Sequence, residues 1–282
     1  MAEIINGKVI SQAVKDRIHA EVEELKAQGI VPGLAVIIVG NDPASKVYVG
    51  SKERTCIELG MYSEKYELPE DTTNEQLLAL IDKLNKNDKV HGILCQLPLP
   101  RHLDEKSVID AIDPKKDVDA FHAVNVGKIM IGDYDYLPCT PAGIMEMLKF
   151  MNIDPCGKHC VIIGRSNIVG KPMAMLMLHA NATVTICHSK TVGLKEICRE
   201  ADILVAAVGK TYFVTPDMVK PGAVVIDVGM NRNSEGKLCG DVDYEKVEPL
   251  CSAITPVPGG VGPMTIAMLM QNTLTAAKRS KK

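Results

Sequence analysis

The feature that most constrains the fold is a set of short β-branched, apolar runs in the C-terminal half of the chain. Four such runs cover residues 161–163, 183–186, 203–208 and 224–228, and segments of helical periodicity separate the first three. Strands that alternate with helices form right-handed βαβ units, whose parallel sheet is covered on both faces. The pattern therefore predicts an α/β domain with a Rossmann-like, doubly wound parallel sheet.

The N-terminal half alternates in the same way. Apolar runs at 34–39 and 90–97 predict two strands, residues 63–68 suggest another, and residues 10–28 have the periodicity of an amphipathic helix. We therefore predict two α/β domains with an active-site cleft between them. The first comprises 1–138 plus 263–282 and the second comprises 139–262.

Two local signals set these boundaries. The polar stretch 113–138, rich in Asp, Lys and Gly, is interpreted as the crossing between the domains, and Pro263 is predicted to open the last helix.

Charge and hydropathy argue against a nucleic-acid or membrane surface. The chain has 32 basic and 35 acidic residues, a net charge of −3, and lacks the run of about 20 apolar residues that a bilayer requires. Its N-terminus lacks a signal-peptide pattern, so we expect a cytoplasmic protein, or one of an organelle matrix if a transit peptide has been removed. The 9 cysteines lack zinc-like spacing, and we predict neither a metal site nor disulfides.

A glycine-rich turn follows the first of the four C-terminal runs. Gly164-Arg165-Ser166-Asn167-Ile168-Val169-Gly170 is a variant of the loop whose backbone amides meet a pyrophosphate at a helix N-terminus. It departs from the usual spacing, because Ser166 replaces the second glycine and the last glycine is one residue late. Taken alone, the turn is also compatible with a purely structural role.

The end of the second run favours NADP over NAD. NAD-binding folds place a carboxylate there, whereas this chain has His188-Ser189-Lys190, and Arg165 adds a further cation in the turn. A 2′-phosphate would be repelled by a carboxylate but held by Arg165, Ser189 and Lys190. The alternative is a solvated cluster of charges.

Lys52 stands out in the helix that begins after Asp42-Pro43. At helical spacing it shares an apolar stripe with Ser45, Val49, Cys56 and Leu59, and Tyr48 lies one turn before it. Desolvation favours the neutral amine of a lysine, which can then exchange protons. The alternative is a lysine whose stem packs while its ammonium group reaches water.

Three further polar residues are candidates for a site. Gln96 follows an apolar strand and precedes a proline-rich stop, which places its amide at the strand's carboxyl end, where α/β sheets bind ligands. Asp117 and Asp119 lie in a Pro-Lys-Lys-Asp-Val-Asp segment. A satisfied turn glutamine and a solvated acidic turn are the alternatives.

Together, several motifs resemble those of the bifunctional methylenetetrahydrofolate dehydrogenase/methenyltetrahydrofolate cyclohydrolases, the FolD family. They occur in the family's order across nearly the whole chain: Tyr48-Val49-Gly50-Ser51-Lys52, Gln96-Leu97-Pro98-Leu99-Pro100, Lys116-Asp117-Val118-Asp119, Pro138-Cys139-Thr140-Pro141, Gly164-Arg165-Ser166 with Val169-Gly170-Lys171-Pro172, and Thr255-Pro256-Val257-Pro258-Gly259-Gly260-Val261-Gly262-Pro263-Met264-Thr265.

The resemblance implies two consecutive reactions of one-carbon metabolism, which serves purine, methionine and histidine biosynthesis. NADP-dependent oxidation converts 5,10-methylenetetrahydrofolate to 5,10-methenyltetrahydrofolate, and hydrolysis then gives 10-formyltetrahydrofolate. It also implies a homodimer formed through the dinucleotide domain. Two alternatives stay open: a dehydrogenase with weak or absent cyclohydrolase activity, and a non-catalytic NADP-binding protein of the same fold.

The resemblance also implies residue roles. Lys52 would move protons during hydrolysis, Gln96 would hydrogen-bond Lys52, Tyr48 would stack on the folate and help to position Lys52, Asp119 would bind the pterin, and Ser45 would lie near Lys52. The loop residues that would close over the substrate are Pro258, Gly259 and Gly262. Cofactor contacts would come from Gly164, Arg165, Ser166, Ser189 and Met230. One departure is Ala120, where the family usually has glycine.

Overall fold

The computed structural model describes residues 2–280, so Met1, Lys281 and Lys282, which the predicted domain ranges include, lie outside the described residues. The strands are β1 Glu3–Ile4, β2 Gly33–Val39, β3 Tyr62–Leu68, β4 Gly92–Cys95, β5 His159–Ile163, β6 Thr183–Cys187, β7 Ile203–Ala206, β8 Val224–Asp227, β9 Asn231–Arg232, β10 Leu238–Cys239 and β11 Ala253–Ile254. The α-helices are α1 Gly7–Ala27, α2 Pro43–Glu58, α3 Asn74–Asn85, α4 Glu105–Ala111, α5 Ala123–Ile131, α6 Cys139–Phe150, α7 Gly170–His179, α8 Leu194–Arg199, α9 Tyr244–Val247 and α10 Val261–Arg279.

The chain divides into two compact units. Unit 1 comprises Met1–Gln12 and Thr140–Thr265, and unit 2 comprises Ala13–Cys139 and Ile266–Lys282. Both contain a parallel sheet with helices, so the predicted α/β class is confirmed.

Unit 2 is built on a three-stranded parallel sheet of order β3-β2-β4. The central strand β2 is buried along its whole length, as expected of an apolar strand covered on both faces. Helix α3 packs Leu77, Ile81 and Leu84 into this core, and it begins with a capping box between Thr73 and Gln76. The three strands predicted in the N-terminal half are confirmed as β2, β3 and β4.

Unit 1 contains a six-stranded sheet of order β1-β11-β8-β7-β5-β6, in which every pair is parallel. The four predicted runs form β5, β6, β7 and β8. From β5 the chain moves outwards to β6 on one side and to β7 on the other. The boundary between β5 and β7 is thus the switch point of this doubly wound sheet, and ligands of such sheets bind outside the carboxyl ends of the strands at that point.

The N-terminal residues group differently from the predicted domain ranges, which place them with 1–138. Glu3 and Ile4 pair with Ala253 and Ile254 of β11, and Ile5 is completely buried. Because these partners belong to the six-stranded sheet, the described residues up to Gln12 fall in unit 1.

Two details of local structure differ from what the sequence predicts. The stretch 113–138 contains helix α5, which the sequence conceals because its N-cap is a histidine: the His122 ring accepts a hydrogen bond from the backbone N–H of Val124. The last helix begins at Val261, two residues before Pro263. Proline fits within a first turn because the N–H groups there have no helical partners.

All nine cysteines carry free thiols, and all except Cys156 are buried. Within residues 2–280, no helix combines the length and apolar character needed to cross a membrane.

Candidate active site

Helix α2 places Lys52 in the interior of unit 2. Asp42 caps the helix by accepting a hydrogen bond from the backbone N–H of Ser45 at 2.7 Å. All members of the predicted apolar stripe are buried: Ser45, Val49, Lys52, Cys56 and Leu59. Lys52 is only 8% exposed, so the snorkelling alternative is wrong.

Gln96 lies immediately beyond the carboxyl end of β4, next to β2, and its backbone N–H donates to the carbonyl of Ile37. Its side-chain Oε1 accepts a hydrogen bond of 2.9 Å from Lys52 Nζ. Its Nε2 donates to the carbonyl of Leu97 at 2.7 Å, which fixes the orientation of the amide. The oxygen of Gln96 is therefore held towards the ammonium group of Lys52.

Asp119 completes this cluster. Its Oδ1 accepts a hydrogen bond of 3.5 Å from the thiol of Cys139. Loss of hydration raises the pKa of Asp119, and the nearby charge of Lys52 acts in the opposite direction. Burial likewise raises the pKa of Cys139 well above its ordinary value, so this residue is a neutral thiol donor. Cys139 was not a predicted site residue, although its Pro-Cys-Thr-Pro motif contributed to the resemblance.

Asp117 has a structural role. Its buried carboxylate accepts hydrogen bonds from the backbone N–H of His122 at 2.9 Å and from Asn125 Nδ2 at 2.8 Å. These bonds fix the start of α5. The carboxylate of Asp119, two positions later, does not share in these bonds and instead accepts the hydrogen bond from Cys139.

Ala120 adopts a left-handed backbone conformation, with φ of 57°, and its side chain is completely buried. Glycine takes this conformation with little strain, which explains why glycine suits this position. In this chain the alanine accepts the same geometry beside Asp119.

Tyr48 lies on α2 one turn before Lys52 and is half-buried, which raises its pKa. Its phenol is therefore neutral at physiological pH, with an aromatic face available for a planar ring.

Unit 1 carries the residues predicted for the dinucleotide. A Cβ at Gly164, whose φ is 138°, would stand 2.4 Å from the carbonyl oxygen of Ala207, and a Cβ at Gly170 would stand 2.2 Å from that of Gly164. Only glycine permits this close turn into α7. Ser166 Oγ accepts hydrogen bonds from the N–H groups of Val169 and Gly170, which hold the turn against the start of α7.

The ends of β5 and β6 are joined at this turn, because the N–H of Gly164 donates to the carbonyl of Cys187. Arg165, Ser189 and Lys190 are exposed. A glycine cradle at a helix N-terminus, with cations rather than a carboxylate at the second strand, fits an NADP-type dinucleotide. Met230, beyond the end of β8, is also exposed.

The predicted substrate loop lies in unit 1 as well. Gly259 has φ of 102°, and Pro258 is exposed beside it. Gly262 lies within the first turn of α10, so its interpretation as a loop residue is wrong. A Cβ at Gly262 would stand 3.1 Å from the Met230 methyl group, so the flexible Met230 side chain would have to shift slightly to admit one.

Two buried carboxylates near Met230 were missed by the sequence analysis. Asp227 accepts hydrogen bonds from the N–H groups of Gly229, Asp241 and Val242. Burial raises its pKa to about 6, against the effect of these three bonds. Asp241 is completely buried. No spacing signal could have identified this pair, because most of the donors to the two carboxylates are backbone N–H groups.

A separate cavity of about 570 Å³ opens in unit 2. His91, which precedes β4, lines it, whereas Gln96 follows the other end of that strand. The cavity is therefore distinct from the Lys52 cluster.

Comparisons with known proteins agree with this arrangement. Residues 5–119 match the family model of the tetrahydrofolate dehydrogenase/cyclohydrolase catalytic domain, and residues 138–281 match that of the NAD(P)-binding domain. The bifunctional protein FolD of Acetivibrio thermocellus is 63% identical over 281 residues, covering 100% of this chain and 99% of that protein.

Two solved structures extend the likeness. The bifunctional FolD of Campylobacter jejuni has a TM-score of 0.97 at 49% identity and covers 99% of this chain and 100% of its own. The Trypanosoma brucei FolD, solved with NADP and an inhibitor, has a TM-score of 0.96 at 38% identity. It covers 100% of this chain and 99% of its own. On this evidence, the chain belongs to the tetrahydrofolate dehydrogenase/cyclohydrolase family.

Proposed function

We propose that this protein oxidises 5,10-methylenetetrahydrofolate to 5,10-methenyltetrahydrofolate with NADP and then hydrolyses the product to 10-formyltetrahydrofolate. The observation that carries the proposal is the buried amine of Lys52, held by Gln96 beside Asp119. Membership of the family supports it.

Hydrolysis requires protons to move, and Lys52 is the group suited to that task. Water adds to the methenyl carbon and loses one proton, which leaves a hydroxyl group on that carbon. The bond from the carbon to N5 then breaks as N5 gains a proton, and the hydroxyl group releases its own proton to solvent to become the formyl carbonyl. A lysine amine at the site can take the first proton and supply the second. Gln96 holds Nζ in one orientation, since its own amide is fixed by Leu97.

Asp119, Tyr48 and Ser45 are assigned to folate binding. The carboxylate of Asp119 matches the paired donors of a pterin's amino-pyrimidine edge. Cys139 occupies one of its oxygens, which leaves acceptor capacity for such donors. Tyr48 provides an aromatic face one turn before Lys52, and Ser45 is buried on the same stripe.

NADP, when bound, supplies the hydride acceptor. Gly164 and Ser166 shape the turn that would receive its pyrophosphate, and Arg165 with Ser189 would hold the 2′-phosphate. Met230, Pro258, Gly259 and Gly262 are assigned to cofactor and substrate contacts in unit 1. The proposed functional division is a folate-binding domain of 1–138 plus 263–282 and an NADP-binding domain of 139–262, and the reaction requires residues of both.

The test is a turnover assay with 5,10-methylenetetrahydrofolate and NADP⁺, in which NADPH and both folate products are followed. We expect NADPH to form together with 10-formyltetrahydrofolate. Accumulation of the methenyl product would identify a dehydrogenase with weak hydrolysis. Absence of NADPH would contradict the proposal and favour a binding protein of the same fold.

We further propose a cytoplasmic homodimer that supplies one-carbon units for purine, methionine and histidine biosynthesis. Strand β6 is hydrogen-bonded to β5 on one side only, and Thr183 and Ile186 on it are exposed. Such an edge can pair with a second copy. Light scattering coupled to size-exclusion chromatography should give twice the chain mass of 30.6 kDa, and a monomer at micromolar concentration would contradict this.

A further inference from the structure

The carboxylate of Asp241 is completely buried and is bound by four N–H donors. Its Oδ2 accepts from the backbone N–H groups of Val208 at 2.6 Å and Gly209 at 3.0 Å. Its Oδ1 accepts from the backbone N–H of Lys210 at 2.8 Å and from Asn231 Nδ2 at 2.9 Å. Three successive backbone N–H groups form an anion-binding nest, and a side chain of the same protein fills it.

The position of this nest connects it with the cofactor. Val208, Gly209 and Lys210 follow β7, which borders β5 at the switch point of the sheet. The glycine turn follows β5, and a Cβ on Gly164 would contact the carbonyl of Ala207, the residue just before the nest. The nest therefore lies at the strand ends where a dinucleotide binds.

The other end of the Asp241 network reaches Met230. Asn231, which donates to Asp241, follows Met230 directly. A Cβ at Gly229 would stand 2.4 Å from Asp241 Oδ1, so glycine is required there. Asp227 fixes the backbone of Asp241 and Val242 in turn. One carboxylate thus connects the segment after β7 with the segment after β8.

We propose that Asp241 is a positioning residue for the dinucleotide: it holds Val208–Lys210 and Asn231 so that the segments after β7 and β8 form the cofactor surface. This rests on the proposed dehydrogenase function. Since every group around the carboxylate is a donor, an amide in its place would turn its NH₂ towards other N–H groups. The segments would then separate, and NADP would bind less tightly and be oriented less well.

The test compares Asp241→Asn with the unchanged protein by direct NADP titration and by the two activities measured separately. We expect the Kd for NADP to rise about tenfold or more and the dehydrogenase kcat to fall. Hydrolysis of supplied 5,10-methenyltetrahydrofolate should stay within about twofold, because Lys52 and Gln96 lie in unit 2. The matched control is Asp202→Asn. This carboxylate lies at the amino end of β7, away from the nest at the carboxyl end, and it binds Lys220 and the N–H of His159. Both activities should be unchanged in the control.

An unchanged Kd and dehydrogenase kcat in Asp241→Asn would overturn the proposal. So would a parallel loss of both activities with a lowered Tm, since that indicates general unfolding. If Asp241→Asn does not fold, the variant Asn231→Ala removes only one of the four donors to Asp241. NADP binding should then weaken about threefold while hydrolysis persists. Unchanged NADP binding in this variant would contradict the positioning role of Asp241. Because NADP binding is measured without turnover, failure of the proposed reactions in the unchanged protein is a separate result.

Discussion

At the scale of single residues, the contact between Lys52 and Gln96 carries the proposed hydrolysis. Replacing Lys52 with methionine keeps a straight apolar chain as long as the lysine stem but removes the amine. We expect cyclohydrolase activity to fall by about 10²–10⁴-fold, the usual contribution of a proton-transferring group, while NADP affinity is retained. Stopped-flow decay of 5,10-methenyltetrahydrofolate and NADP titration measure the two quantities.

Lys46→Met is the matched control, because Lys46 lies on the same helix but is exposed and bonded to Asn41. It should leave hydrolysis unchanged. Retention of hydrolysis in Lys52→Met would remove the assigned role of the amine.

Ala120 permits a second residue-scale prediction. Ala120→Gly relieves left-handed strain of about 1–2 kcal/mol but loses a buried methyl group and gives the unfolded chain more freedom, each worth about 0.5–1 kcal/mol. These effects nearly cancel, so we expect the unfolding free energy to change by less than about 1 kcal/mol.

Ala120→Val should instead destabilise the protein by about 2–4 kcal/mol, because a β-branched residue is strained at this φ and the site is already filled. Urea unfolding monitored by circular dichroism tests both variants. Equal stability of the valine and alanine forms would argue against the left-handed geometry.

The residues differ in how far the sequence predicts them. Lys52 is predictable because helical periodicity alone places it on a buried stripe with Val49 and Cys56. The contact of Cys139 with Asp119 depends on chain segments twenty residues apart, which no local period encodes. Asp241 is bound almost entirely by backbone N–H groups, whose positions follow from the tertiary fold.

At the scale of elements, we expect the turn from β5 into α7 to select NADP over NAD. Arg165 is exposed beside this turn, and a charge-assisted hydrogen bond to phosphate is worth about 1.5–3 kcal/mol. Arg165→Ala should therefore weaken NADP about tenfold to a hundredfold and leave NAD nearly unaffected. Calorimetric titration with each dinucleotide measures the ratio.

The control for this turn is Lys195→Ala. Lys195 is a cation of the same unit, but it pairs with Asp217, so its removal should change neither affinity. Equal losses of NADP and NAD affinity in Arg165→Ala would eliminate the role in 2′-phosphate recognition.

Helix α3 is predictable because it has a clear apolar period and an ordinary capping box. The four C-terminal strands are predictable because each is a short β-branched, apolar run. Helix α5 was missed because His122 is an unusual N-cap and because the helix lies in a stretch that is otherwise polar and rich in glycine. Strand β1 was missed because two residues carry no detectable period.

At the scale of the whole molecule, the pairing of β1 with β11 closes one edge of the six-stranded sheet. Deleting residues 2–5 removes the fully buried Ile5 and its hydrogen bond of 2.9 Å to the carbonyl of Ile254. We expect unit 1 to lose about 3–5 kcal/mol of stability, from one buried side chain and several hydrogen bonds. Thermal melts with and without NADP would detect the loss.

Glu3→Ala keeps the backbone bond from residue 3 to Ser252 and removes an exposed side chain, so its Tm should be unchanged. A deletion variant that melts like the full chain would show that β1 contributes nothing to this sheet.

The same pairing has a consequence during biosynthesis. Glu3 and Ile4 are synthesised well before their partners Ala253 and Ile254, because almost the whole of both units lies between them in the sequence. The nascent chain must therefore carry Ile5 unburied while the rest of unit 1 is synthesised, a period in which exposed apolar segments invite misassembly. Because β1 has only two residues, it exposes few unpaired N–H and C=O groups. We therefore expect little incorrect strand pairing by β1 before β11 is made.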